Sequence, residues 1–321
     1  MCRFSFVFFV YILPIIWYNN IGDEYMNYKT VKELSLEWNI SERSIRDYCN
    51  KGRIPGAVLN GKTWLVPFDA VKPNRQIRHT NTKKKLLDIL KLEKDTKRSG
   101  GIYHELQIEM TYNSNHIEGS QLTHDETRYI FETKTINSNN TIKVNDIIET
   151  INHFRCIDLV IDMANYKLTE SMIKQFHFVL KNNSIDSLDP TFMVGNYKLK
   201  ENAVGGIDTI SPDKVSMEMK RLLENYNSKK EVTIEDIIEF HHDFETIHPF
   251  QDGNGRVGRL IMLKECLKYN YVPIIITDDI KMFYYRGLKN WNEERGWLID
   301  TCLSGQDRMK ELLKFFKIDF E

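Results

Sequence analysis

The sequence predicts a mainly α-helical protein, a helical core carrying one β-hairpin, preceded by a small winged helix-turn-helix domain. Three observations lead there. Beyond residue 100 the apolar residues recur with helical period, most clearly over 233–247, where Ile234, Ile237, Ile238, Phe244 and Ile247 share a face behind the entry residues Thr233 and Asp236. Residues 197–211 break that period with short β-type stretches around Gly205-Gly206, which read as a hairpin. Near the N-terminus, two short helical patterns run into a second hairpin pattern.

Taken in order, Phe4 to Tyr18 is an apolar run broken only by Ser5 and Pro14. It falls short of the roughly 20 residues that a bilayer span needs. A single Arg3 precedes it and no small-x-small cleavage site follows, so it is also a poor signal peptide. Met26 stands directly before a well-patterned segment. The expectation is that residues 1–25 are an artefact of the assigned start, and that no membrane is involved. Residues 26–73 form the small domain. Thr30-Val31-Lys32-Glu33 is a capping box opening a helix through Trp38, and Asn39-Ile40 makes a turn. Ser41 caps a second helix, which Gly52 ends, with Ile45, Tyr48 and Cys49 on one side and Arg43, Arg46 and Lys51 largely on the other. Val58 to Val66 reads as a hairpin with Asn60-Gly61 at its turn. The arrangement resembles the DNA-binding domains of excisionases and MerR-type regulators, whose second helix enters the major groove. Arg43 and Arg46 are the candidate DNA contacts, although such modules also dock proteins. Residues 74–98 are lysine-rich and read as a basic linker, and 99–321 form the second domain.

The overall charge of −1 conceals a division. Residues 28–98 hold 17 Lys or Arg against 8 Asp or Glu, and 99–321 carry the compensating acidity. A basic front suggests an anionic partner, nucleic acid first, or else a solvated lysine-rich face. Cys2, Cys49, Cys156, Cys266 and Cys302 are odd in number and never at CxxC spacing, which argues against a disulfide framework or zinc site and favours the cytoplasm. The many Asn, Lys and Ile residues suggest an AT-rich bacterial genome.

The chemistry concentrates in residues 248–259, His-Pro-Phe-Gln-Asp-Gly-Asn-Gly-Arg-Val-Gly-Arg. Gly253 and Gly255 let the main chain adopt conformations closed to other residues and let an anion approach it. A helix starting near Arg256 presents unpaired N–H groups and a positive dipole end, a phosphate site. Arg256 and Arg259, three apart, can grip adjacent phosphates. Asp252 is placed to hold Mg²⁺ through oxygen, and His248, largely neutral at pH 7, can accept a proton from a hydroxyl. Together these describe a nucleotidyl-transfer site. Gly253-x-Gly255-x-x-Gly258 also matches a dinucleotide fingerprint, with Asp278 near the ribose-binding distance, but that motif needs a preceding strand and 233–247 is helical. The Rossmann reading is rejected.

This run resembles the signature of the Fic (filamentation induced by cAMP) family, HxFx(D/E)GNGRxxR, at every defined position, and the resemblance extends over roughly residues 100–315. It implies a helical core with a flap over the site, and transfer of AMP from ATP to Ser, Thr or Tyr of a target protein with release of pyrophosphate. By the same resemblance His248 would deprotonate the hydroxyl and Asp252 would hold Mg²⁺. Gly253, Asn254, Gly255 and Gly258 belong to the phosphate-binding turn and helix, with Arg256 and Arg259 neutralising the β and γ charge. Tyr284, Tyr285 and Asn292 would line the adenosine pocket. Val204 and Gly205 belong to the flap, which would also align the target by strand addition. Ser114-Asn115-His116-Ile117-Glu118-Gly119 fits the family's inhibitory pattern (S/T)xxxE(G/N), in a helix expected at about 102–119. The implied mechanism is that Glu118 pairs with Arg259 and denies it to the γ-phosphate. The target is unknown, self-modification (auto-AMPylation) is a further expectation, and homo-oligomerisation is left open. Two alternatives stand: the same site removing AMP from modified protein, or a DNA- or protein-binding regulator with a resting Fic body.

Overall fold

The structure, a computed structural model, describes residues 28–73, 85–136, 138, 141–204 and 207–320. The apolar run of residues 1–25, the expected start at Met26 and the lysine-rich stretch 74–84 lie outside the described residues, as does Gly205. The chain divides into two compact units, Met1–Thr80 and Asn81–Glu321.

The first unit comprises β1 (Tyr28–Thr30), α1 (Val31–Trp38), α2 (Glu42–Asn50), β2 (Val58–Asn60) and β3 (Thr63–Pro67). Thr30 accepts from the Glu33 backbone while the Glu33 side chain returns to Thr30, so the capping box is present; Ser41 caps α2 through Ser44. The strands form an antiparallel sheet in the order β1-β3-β2. Asn60 pairs with Thr63, which places Gly61-Lys62 at the turn rather than Asn60-Gly61. Val31, Leu34, Trp38, Ile45, Cys49, Ile54 and Val66 make its core. Arg43 and Arg46 stay on the exposed side of α2, and Arg46 pairs with Glu42 at 2.7 Å.

The second unit runs through α3 (Leu86–Asp95), α4 (Ile102–Ile117), α5 (His124–Thr133), α6 (Val144–Met163) and α7 (Glu170–Lys181). The hairpin follows, β4 (Ala203–Val204) and β5 (Ile207–Asp208), then α8 (Pro212–Ser228), α9 (Ile234–Ile247) and α10 (Asn254–Tyr269). The chain closes with α11 (Lys281–Lys289), α12 (Gly296–Ser304) and α13 (Asp307–Phe315). The basic linker expected over 74–98 is cut short by α3. Its Leu86, Leu87 and Leu90 are buried in the main core, and three such side chains contribute on the order of 5 kcal/mol. The helical unit therefore begins well before residue 99.

α10 lies at the centre, packed against α4, α6, α7 and α9, with every residue from Arg256 to Leu267 buried. A helix buried all round carries no amphipathic stripe, so its polar residues must find partners inside the protein. Cys156, Cys266 and Cys302 are free and buried here, as is Cys49 in the first unit. Among the described residues no helix is long and apolar enough to cross a membrane.

Candidate active site

The loop between α9 and α10 is built by its two ends. Thr233 and Asp236 form the capping box that starts α9. The helix stops at His248, which takes a left-handed conformation (φ 50°) and donates its N–H to Phe244 O at 2.9 Å. No strand precedes Gly253, which disposes of the dinucleotide reading. The His248 ring is mostly buried, and its Nδ1 lies 3.3 Å from the Glu245 carbonyl and 4.0 Å from Glu245 Oε2. A carbonyl only accepts, so Nδ1 carries the proton and Nε2 keeps a lone pair. Burial lowers the imidazole pKa to about 4, which keeps it neutral at pH 7. Burial likewise pushes the Glu245 carboxyl up to about 8, despite Arg259 nearby, so Glu245 is protonated at pH 7 and draws no charge onto the ring.

The rest of the loop is clamped. Asn254 Oδ1 accepts from Phe250 N and its Nδ2 donates to Phe250 O, both at 2.8 Å. The Phe250 ring is buried and stacks on His177 at 3.9 Å. His177 accepts from Gly195 N through Nδ1 and donates from Nε2 to Asp252 O at 3.1 Å. Gly253 takes φ 80°, open to glycine without strain, and starts α10, whose first turn has no side-chain cap. Gly255 leaves room for the Glu118 carboxylate, whose Oε1 would have to shift if a Cβ were present there. The hairpin is tied to the same loop. Lys198 N donates to Pro249 O at 2.9 Å, and Asn202 Nδ2 donates to Phe250 O at 3.0 Å. The buried Lys198 ammonium, its pKa lowered to about 8 by burial, holds Asn202 Oδ1 and Thr209 Oγ1 across the hairpin base, each at 2.6 Å.

The two arginines diverge. Arg259 Nε donates to Ser114 Oγ at 3.0 Å, and its Nη2 donates to Ser114 O at 3.0 Å and to Glu118 Oε1 at 2.7 Å. Ser114 lies in the last turn of α4, whose C-cap is Glu118. Arg256 turns the other way, to Glu149 on α6, and reaches Asp252 Oδ2 at 3.4 Å. Asp252 is half exposed. Burial raises its carboxyl, but Lys181 and Arg256 outweigh that and hold it ionised with a pKa of about 2. Both cationic contacts fall on Oδ2. A neutral imidazole with a free lone pair, an ionised carboxylate and an uncapped helix N-terminus thus occupy one loop.

Other expected residues are placed differently. Tyr284, expected to line an adenosine pocket, is buried in the core with its hydroxyl on His241 Nε2 at 2.6 Å, so the ring offers no open face. Adjacent residues on a helix point about 100° apart, and its neighbour Tyr285 is the exposed one, reaching toward Ile117 O at 3.4 Å. Asn292 is exposed just after α11. Val204 lies in β4 opposite Ile207. Sequence reasoning missed Lys181, Glu149 and Glu245. Lys181 and Glu149 fall at core spacing on α7 and α6, among Ile173, Phe176, His177 and Leu180 on one and Asn152, His153, Cys156 and Ile157 on the other. A charged residue in register with an apolar stripe was the available signal.

Residues 167–266, which include the whole loop and most of α10, match the Fic/DOC family. The chain is 27% identical over 198 residues to the protein adenylyltransferase Fic of Drosophila melanogaster, covering 59% of this chain and 38% of that protein. The Drosophila mojavensis protein is equally similar, with 37% of its length covered. The chain thus spans less than half the length of these relatives. Among solved structures, a Fic-domain-containing signalling protein from Bacteroides thetaiotaomicron shares the fold with a TM-score of 0.59 at 24% identity, over 73% of this chain and 99% of that one. Fic-1 from C. elegans aligns with a TM-score of 0.55 at 20% identity, over 71% of this chain and 69% of that one. The match identifies residues 167–266, which span α7 through most of α10, as a Fic/DOC family domain.

Proposed function

We propose that this chain is a protein adenylyltransferase, moving AMP from MgATP to a Ser, Thr or Tyr hydroxyl of a target protein, and that it rests inhibited by Glu118. The observation that carries the reading is Arg259, a buried guanidinium beside an anion nest, held at 2.7 Å by the Glu118 carboxylate. Nε2 of His248 accepts the proton of the incoming hydroxyl. Its oxygen bonds the α-phosphorus, the bond to the bridging oxygen breaks, and pyrophosphate leaves. The N–H groups opening α10, with Arg259 once Glu118 withdraws, stabilise the phosphate charge. The ionised, half-exposed Asp252 fits a hard divalent cation that keeps phosphate oxygens and waters as its other ligands. Magnesium so held would neutralise charge on the polyphosphate.

Incubation with α-labelled ATP and Mg²⁺ tests the proposal. Label appears on protein, first on the chain itself, more strongly in Glu118→Gly and not in His248→Ala. No label from the Glu118→Gly protein on any substrate or on itself ends the reading. Removal of AMP is the second reading, since the Glu118 carboxylate lies against Gly255 inside the site, where it could orient a water. Release of AMP from labelled protein by wild type, lost in Glu118→Gly, would favour it. The first unit fits a DNA reader with Arg43 and Arg46 as its contacts, and salt-dependent duplex binding weakened by Arg43→Ala tests this. The cytoplasm is the compartment that suits its unpaired thiols.

A further inference from the structure

Beside Asp252 lies a group with no part in the reaction as described. Glu149, Asp186 and Asp252 each offer a carboxylate oxygen within 4.8 Å of one another, a spacing that could hold a metal ion. Lys181 fills the space. Its ammonium, on a side chain only 1% exposed, donates to Glu149 Oε1 at 2.5 Å, Asp186 Oδ2 at 2.5 Å and Asp252 Oδ2 at 2.7 Å. All three ammonium protons are thereby used. Burial alone would drive Lys181 toward its neutral form, but Asp252 and Glu149 outweigh that and keep it charged.

Three carboxylates without a cation of their own would bind a divalent ion directly, since affinity at an oxygen site rises with the number of charged ligands. With Lys181 and Arg256 in place the cluster retains a net charge of only −1, and the oxygen of Asp252 that faces Glu149 and Asp186 is already engaged. We propose that Lys181 is a positioning residue that makes loading of the cation conditional on nucleotide: it occupies the place a free ion would take, fixes Asp252 by Oδ2, and leaves the ion to arrive with the phosphates. This deepens the adenylyltransferase reading and rests on it.

The test is Mn²⁺ binding to the full chain, followed by the loss of the free-ion electron paramagnetic resonance signal. Wild type takes up Mn²⁺ only when a non-hydrolysable ATP analogue is present. Lys181→Met binds Mn²⁺ without nucleotide at least about tenfold more tightly than wild type, and Lys181→Arg restores the nucleotide requirement. Where the nucleotide-free Lys181→Met protein is too unstable for that measurement, its melting temperature gives the same answer: it rises on Mn²⁺ addition while that of wild type does not. Nucleotide-free binding by wild type that Asp186→Asn abolishes overturns the proposal. So does a Lys181→Met protein whose affinity and melting are both indifferent to Mn²⁺. Label transfer from ATP is read separately, so an intact transfer reaction with no Mn²⁺ contrast removes only the role of Lys181. A clear Mn²⁺ contrast without transfer removes only the proposed reaction.

Discussion

Replacing Glu118 with glycine separates the two jobs its carboxylate does. The carboxylate makes one charge-assisted hydrogen bond to Arg259, at 2.7 Å, and is 30% exposed while the arginine side chain is 4% exposed. A hydrogen bond to a charged group contributes about 1.5–3 kcal/mol, so a nucleotide phosphate that must displace it loses roughly tenfold to hundredfold in productive occupancy. Glu118→Gly should therefore raise the initial rate of AMP transfer by about that factor at subsaturating ATP. Glu118→Gln, whose amide oxygen can still accept from Nη2 but carries no charge, should fall between. The same change leaves the buried guanidinium without its carboxylate, the bonds to Ser114 Oγ and O remaining. That should cost about 1–3 kcal/mol and lower the nucleotide-free melting temperature by a few degrees, about 2–4 °C per kcal/mol for a unit of this size. MgATP should restore the loss, because it returns an anion to Arg259. Initial rates with α-labelled ATP and thermal melts with and without MgATP read both effects. Equal rates for wild type and Glu118→Gly would refute the inhibitory role. Faster transfer with no fall in melting temperature would show that the pair contributes nothing to the fold.

The pH profile of the Glu118→Gly enzyme should stay flat from pH 7 down to about 5 and fall as His248 takes a proton near 4; a midpoint near 6.5 would mean the imidazole is not desolvated. Stability should decline on acidification from about pH 6.5. Burial depresses His153, His177 and His241 to about 3 and His248 to about 4, so the unfolded chain takes up protons first as the pH falls. Each such group should contribute a loss on the order of 1–2 kcal/mol at pH 5, and denaturant melts giving equal stability at pH 7 and pH 5 would contradict this. Asn254→Ala should destabilise by about 1–3 kcal/mol, since Phe250 N loses its partner in a buried loop while Phe250 O keeps only the bond from Asn202, and should weaken nucleotide binding as the turn opens. Melting and nucleotide titration check it, and an unchanged affinity would show that the turn keeps its shape without the clamp.

Features decided by near neighbours in the chain were legible in the sequence. The capping boxes at Thr30 and Thr233 require only residues three apart, and the loop at 248–254 is specified by its own glycine and asparagine. The register of the first hairpin slipped by one residue, since Asn60-Gly61 and Gly61-Lys62 are both compatible with a two-residue turn until β3 selects a partner. β1 is three residues long, too short for alternation to show. The divergence of Arg256 and Arg259 depended on helices distant in sequence: Glu149 on α6 draws one and the end of α4 draws the other. Lys181 and Glu149 read as ordinary charges until α7 and α6 pack and bring their ends together.

The position of Glu118 at the end of α4 bears on how the proposed inhibition would be lifted. α4 is anchored along its length by Tyr103 on Asp158 at 2.6 Å, Thr111 on His153 at 3.0 Å and Asn115 on Thr150 at 3.2 Å. Its Leu106, Met110 and Ile117 are buried in the main core. Undocking the helix would expose all of these, at a cost of several kcal/mol. Glu118 follows the last helical residue and precedes Gly119 at φ 93°, so its side chain can leave Arg259 by rotation or by a shift of this final turn alone. The two contacts from Ser114 remain when it does, and the guanidinium keeps its orientation with one N–H freed for phosphate. On the proposed reading, reversing inhibition would cost only the Glu118–Arg259 bond and not the docking of α4, and the helix whose end meets the arginine would also hold it ready.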